Sequence, residues 1–135
     1  MDAERLRTFL LSLCFSEETR RDGKLVFWVG ARALGGKMFV LMEVENQRAN
    51  GRERPPLFSF SAGDLYEELL EQDAFLKAPY LARARWVALP ISTNLKFTEI
   101  ARLFRNAHET TYAKLPPHAS SRLLAMGAKR NVLKS

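Results

Sequence analysis

The chain has 135 residues, which suits one domain with an ordinary hydrophobic core and no need of disulfides or a metal. Apolar residues make up 47% and charged residues 27%, as in an ordinary globular protein, and no run approaches the ~18 apolar residues of a bilayer span. The net charge of +6 is unevenly placed: no acid follows Glu109, while Lys114, Arg122, Lys129, Arg130 and Lys134 leave about +1 for the first 113 residues. A neutral body with a basic tail points to nucleic acid less strongly than a uniformly basic domain does.

The first element is a helix, because Leu6, Phe9, Leu10 and Leu13 recur at three- and four-residue spacing. Asp2 caps it, and Asp2 and Glu4 suit the positive end of its dipole. Residues 16–23 are polar and predict an exit loop. Leu25–Val29 and Met38–Met42 predict two strands joined by a turn at Gly35-Gly36. Residues 46–56, with Asn50-Gly51, Pro55-Pro56 and the arginines Arg48, Arg52 and Arg54, predict a flexible loop.

Leu57–Phe60 predicts a third strand. Ser61 and Asp64 resemble a helix start, followed by a short helix with Leu65, Leu69 and Leu70 on its apolar side. Trp86–Ile91 predicts the fourth strand. Ser92-Thr93-Asn94 would cap a long last helix whose stripe is Phe97, Ile100, Ala101, Phe104, His108, Thr111 and Leu115, ended by Pro116-Pro117. The fold class is therefore α+β, a twisted antiparallel sheet of about four or more strands with N- and C-terminal helices on one face. The division is a domain over 1–117 and a basic tail over 118–135, a short helix or a mobile segment.

Cys14 is the single cysteine, which rules out an internal disulfide, fits a reducing cytoplasm and reads as a small buried apolar filler. The start, Met1-Asp2-Ala3-Glu4-Arg5, does not read as a signal peptide, so the expected location is cytoplasmic, with no membrane partner. The two histidines, His108 and His118, have no cysteine or paired carboxylate near them in sequence, so no metal is expected. His108 lies on the apolar stripe and reads as a partly buried imidazole. Gly35-Gly36 feeds a strand, not a helix, and no nucleophile elbow appears, so neither a nucleotide cofactor nor an enzyme is expected.

Basic and aromatic groups offer more. Arg48, Arg52 and Arg54 suit phosphate contacts, as do Lys129 and Arg130 in the tail. Arg83 and Arg85, beside Tyr80 and Trp86, either meet a nucleic-acid backbone and base faces or solvate the surface around a packed Trp86. Arg83, between two aromatics, is open to ordering by stacking or by a carboxylate.

The run Pro79-Tyr80-Leu81-Ala82-Arg83-(x)2-Trp86-Val87 resembles the P-Y-x-G-R-x-G-W-V pattern of the MmcQ/YjbR family of small bacterial domains. Gly35-Gly36-Lys37-Met38-Phe39 looks like that family's G-G-K-M-F, residues 6–13 are similar to its first helix, and Ala113-Lys114-Leu115-Pro116 to the end of its last. The match covers roughly residues 2 to 117. The resemblance implies a fold like the bacterial frataxin homologue, and DNA binding, which is ascribed to such domains from their architecture and not from a reaction. Ala82 and Arg85 stand where glycines are common, and Ala107-His108 where Ser-Tyr is common. If those glycines serve a positive φ, this chain must solve the turn differently.

Three functions follow: weak, sequence-tolerant DNA binding without catalysis, a protein-interaction or regulatory module, and iron delivery. Iron delivery wants a carboxylate ridge, and the first helix offers only Asp2 and Glu4 against Arg5 and Arg7, so it is disfavoured. The first is the expectation.

Overall fold

The computed structural model describes residues 2–31, 35–49, 51–79 and 81–116. Helix α1 spans Ala3–Ser12. The Asp2 carboxylate accepts the Arg5 N–H at 3.1 Å, and Leu6 and Leu10 are fully buried on the inner face. Strands β1 (Ser16–Arg21) and β2 (Lys24–Val29) follow as a hairpin. This corrects the expectation of a loop over 16–23. Asp22 and Gly23 take left-handed φ values of 50° and 71°, the two-residue turn whose twist matches the flanking strands. The turn and the apolar β2 beside it hold a segment whose own side chains have little strand preference. The Trp28 indole N–H also donates to the Thr19 hydroxyl at 2.9 Å.

Strand β3 (Lys37–Glu43) returns antiparallel along β2, with a register shift between Phe27 and Trp28 that lets the adjacent residues Phe39 and Val40 both be buried. Gly36, just before it, has no room for a side chain: a Cβ there would lie 2.3 Å from the Gly30 carbonyl oxygen. Next come β4 (Gln47–Ala49) and β5 (Arg52–Arg54), an antiparallel pair, with Gly51 between them at φ 75°. The expected loop over 46–56 is thus largely a second small sheet.

Strand β6 (Leu57–Ser61) pairs with β3. Ser61 ends this strand opposite Trp86 instead of starting a helix. A 3-10 turn over Gly63–Leu65 leads into α2 (Tyr66–Leu70), and β7 (Leu76–Lys77) adds a two-residue edge. After a 3-10 turn over Ala82–Ala84, β8 (Trp86–Pro90) fills the space between β6 and β7. Helix α3 spans Phe97–Ala113. Its cap position is Lys96, with no side-chain capping bond; Thr93 instead accepts the Leu95 N–H at 3.3 Å within the preceding turn. The expected 92–94 cap is therefore displaced.

The six strands run in the order β1-β2-β3-β6-β8-β7, and every neighbouring pair is antiparallel. The class is α+β, as the pattern predicts. The helices gather on one face over Phe27, Phe39, Phe58, Phe60, Val87 and Leu89, with Ile100 and Phe104 of α3 in the same core. His108 is buried there, edge-on to Phe39, and its Nε2 donates to the Cys14 carbonyl at 2.6 Å. Burial holds its pKa below the usual imidazole value, against the opposing pull of that carbonyl and of Glu109. Cys14 itself is exposed, contrary to the expected filler role, because it lies in the turn between α1 and β1.

The opposite face of the sheet carries a second, smaller cluster. Trp86, only 4% exposed, packs with Ala78 and Ala88, and Met38, Leu41, Leu57 and Leu81 close around them. Trp86→Ala should cost about 3–5 kcal/mol, as for other large buried aromatics. Denaturant unfolding measures this, and a variant that unfolds at the parent's midpoint would show that Trp86 does not hold this face together.

Candidate functional site

The open face of the sheet carries a groove of about 430 Å³, lined by Lys24 of β2, Met38, Leu41 and Glu43 of β3, Gln47, Arg48 and Arg54 of the small hairpin, Ser59, Pro79 and Leu81. Strand alternation explains the selection. Lys24 stands across from Glu43 and Leu41 across from Ser59, so these side chains share a face while Leu25, Val40 and Met42 point to the helices. The floor is apolar, the hairpin makes one wall, and the segment around Pro79 and Leu81 makes the other.

The wall is fastened by a buried carboxylate. Glu43, 6% exposed, receives the Arg54 guanidinium on both oxygens, at 2.6 and 2.9 Å, and accepts the Leu57 N–H at 2.8 Å. A bidentate, charge-assisted pair with an added backbone donor satisfies a carboxylate that could not otherwise be held out of water. Arg54 also donates to the Pro55 carbonyl at 3.2 Å. Arg54 is therefore held against the sheet as a structural tie instead of extending from a loose loop.

Arg85 likewise turns inward. It adopts φ 63°, the left-handed conformation that a glycine takes most readily, at the position where the resembled pattern has one. Its Nε donates to the Gly63 carbonyl at 2.9 Å and its Nη2 to Glu67, and the guanidinium lies 5.4 Å from the centre of the Tyr66 ring. Those bonds offset the backbone cost. The hydrogen bond from Arg85, then one from the backbone of Glu67 itself and last the charge of Arg85, hold the Glu67 carboxyl below its usual pKa. Arg85 thus has the carboxylate and aromatic partners expected for Arg83, while Arg83 is exposed on its 3-10 turn.

Arg48 and Arg52 are exposed on the hairpin, and Lys24 is half-exposed in the groove. Among the described residues none of the three closes an ion pair, although Glu53 stands across from Arg48. Tyr80, Lys129 and Arg130 lie outside the described residues. The structure thus brings Arg48 and Arg54 to one groove and leaves Arg85 on the helical side. Lys24, Met38, Leu41, Glu43, Gln47 and Ser59 escaped the sequence reading, because their convergence depends on register between strands. Lys24 and Glu43 alone left a signal, each a charge at the end of an apolar run.

On the helical side, a shallower depression of about 370 Å³ lies along Phe9, Phe97 and Arg105. Of its two arginines, Arg105 sits 5.5 Å from the Phe9 centroid while Arg102 is exposed, and the neighbouring Arg5 sits 3.9 Å from the Phe97 centroid. Arg7 is tied to Glu18 through two bonds of 2.6 and 2.9 Å, which raise its pKa. Among the described residues no three His, Cys, Asp or Glu side chains converge as metal ligands, and no helix is long and apolar enough to cross a membrane.

No family model and no curated protein sequence matches the chain. Its structure is similar to that of a Deinococcus radiodurans protein with a DUF419 domain, with a TM-score of 0.69 and 21% identity over 89% of this chain and 86% of that one. It is also similar to a protein from Pseudomonas syringae, with a TM-score of 0.63 and 11% identity over 82% of this chain and 99% of that one. At these identities the likeness is one of fold.

Removing one partner of the Glu43–Arg54 pair strands the other. Arg54→Met should destabilise the protein by about 3 kcal/mol, whereas Glu43→Leu/Arg54→Met should recover most of the loss. Urea unfolding of the parent and both variants checks this; equal loss in the single and double variants would contradict it.

Proposed function

We propose that this chain is a domain of the DUF419 type, the family that carries the names MmcQ and YjbR, with a frataxin-like arrangement, and that it binds DNA weakly, without sequence preference and without catalysis. The assignment to the family is supported by the likeness in fold to the DUF419 structure, together with the motifs at Gly35–Phe39 and Pro79–Val87.

The observation that carries the binding reading is the hairpin. It sets Arg48 at the rim of a groove that Lys24 also lines and exposes Arg52 on the opposite face of the hairpin, while Arg54 fixes the hairpin to the sheet. Outward cations on an anchored wall suit a phosphate backbone, and an apolar floor of Met38 and Leu41 suits the face of an unstacked base. The contacts in this reading go to the phosphate backbone and to base faces, not base edges, which is why binding is sequence-tolerant in it; the Arg102, Arg105 and Asn106 row of α3 lies on the helical side, outside the groove. The cations of the 118–135 segment, Lys129 and Arg130 among them, would add long-range attraction. The expected location is the cytoplasm.

Fluorescence anisotropy with one labelled duplex, across salt concentrations, tests the proposal. Arg48→Ala/Arg52→Ala should weaken binding and flatten the log–log salt slope by about 1.8, from ~0.9 per phosphate contact. Arg85→Ala should leave the slope unchanged, since its guanidinium faces Glu67. No binding by the parent at low salt, or an unchanged slope in the double variant, would overturn the reading and favour a protein-interaction module.

A further inference from the structure

Strand β1 is the outer edge of the main sheet and carries the sequence Ser16-Glu17-Glu18-Thr19-Arg20-Arg21. Exposed edges in folded proteins are commonly blunted with charged side chains. Here the signs are balanced and ordered, acids first and bases last. An antiparallel partner of the same sequence meets them in reverse.

The hairpin geometry fixes which backbone groups face out. Arg21 and Lys24 flank the two-residue Asp22-Gly23 turn, so they exchange bonds across the hairpin, and the alternation makes Thr19 and Glu17 do the same. The Phe15 carbonyl, which accepts the Gly30 N–H at 2.7 Å, has the same parity. The N–H and C=O groups of Glu18 and Arg20 therefore point outward, and among the described residues nothing hydrogen-bonds to them.

We propose that β1 is a self-association edge, at which two copies of this chain pair antiparallel about a two-fold axis through Thr19. Only residues of even number face out, so the axis passes through residue 18, 19 or 20. Centring on 18 opposes Glu18 to itself, and centring on 20 opposes Arg20 to itself. Centring on Thr19 sets Glu18 against the partner's Arg20 and Glu17 against the partner's Arg21, each twice. Glu17 and Arg21 meet as a non-hydrogen-bonded pair, the closer kind, on the open face. Both are exposed; among the described residues the one ion pair of Arg21 is a 3.7 Å contact with the equally exposed Asp22. On the helical side Glu18 is already held by Arg7, and the partner's Arg20 completes a triad around it.

The axis stands perpendicular to the sheet, so the two sheets become one of twelve strands with both open faces on the same side. The two grooves would lie about 24 Å apart, five strand spacings of ~4.8 Å. Self-association needs no nucleic acid, so this inference stands or falls apart from the DNA-binding reading.

Sedimentation equilibrium of the full chain without nucleic acid tests it. The parent should dimerise reversibly with a Kd on the order of 100 µM, the weak range suited to a small interface. Glu17→Arg alone and Arg21→Glu alone each oppose like charges twice, and each should weaken dimerisation at least ~10-fold. An equimolar mixture of the two variants restores both opposite-charge pairs and should associate as the parent does. Unchanged melting of each variant shows that the fold is intact, as expected for exposed positions. A parent that stays monomeric through the millimolar range, single variants that dimerise as well as the parent, or a mixture that associates no better than its parts would overturn the proposal.

Discussion

The bond on which the open face depends is the one that closes the neck of the small hairpin. Between Glu43, at the end of β3, and Leu57, at the start of β6, the chain leaves the sheet for thirteen residues and must return beside its point of departure. The Glu43 carboxylate spans that gap, taking the Leu57 N–H on one side and the Arg54 guanidinium on the other. Desolvating a carboxylate is unfavourable unless its oxygens are filled by well-placed donors, and here three bonds fill them. With that neck closed, β4 and β5 become a wall and not a loose excursion, and the floor of Met38 and Leu41 has a boundary.

The two faces of the sheet divide the work. The helical face buries five phenylalanines completely or nearly so, Phe27, Phe39, Phe58, Phe60 and Phe104, and supplies most of the hydrophobic stabilisation. The open face has only the small cluster around Trp86, which leaves a concave surface without a cover. Around α1 and α2, Arg5, Arg7 and Arg85 lie against rings or carboxylates. On the hairpin, Arg48 and Arg52 point to solvent with no such partner among the described residues. Arg20, Arg83 and Arg102 are likewise exposed and outside any ion pair among the described residues, so the hairpin wall is one of several places where a polyanion would meet an unneutralised arginine.

Much of the fold was legible because it rests on burial periodicity. The stripes of α1 and α3 and the apolar runs of β2, β3, β6 and β8 each announce an inward face. What escaped was held by other forces. Strand β1 is polar throughout and is defined by an Asp-Gly turn and by its neighbour, so composition alone predicted a loop. The β4–β5 pair is hidden in the same way behind Asn50-Gly51 and a surrounding of charges. Arg85 occupies a left-handed position that its residue type does not advertise, because Gly63 and Glu67, far away in sequence, stabilise it. The arginines of the 48–54 segment were visible as candidates, but that Arg54 is a tie and Arg48 a rim residue depends on where Glu43 lands. Cross-strand register, not local pattern, decides that.

The proposed meeting of nucleic acid with the open face of this sheet is open to a direct measurement by amide chemical-shift mapping. Titrating the ¹⁵N-labelled full chain with a short DNA duplex at low salt should shift the amides of Lys24, Leu41, Arg48, Arg52, Ser59 and Leu81. Those of Leu6, Phe9, Phe97 and Arg105 on the helical side should stay in place. Shifts confined to the helical side, or no shifts at saturating DNA, would contradict the account.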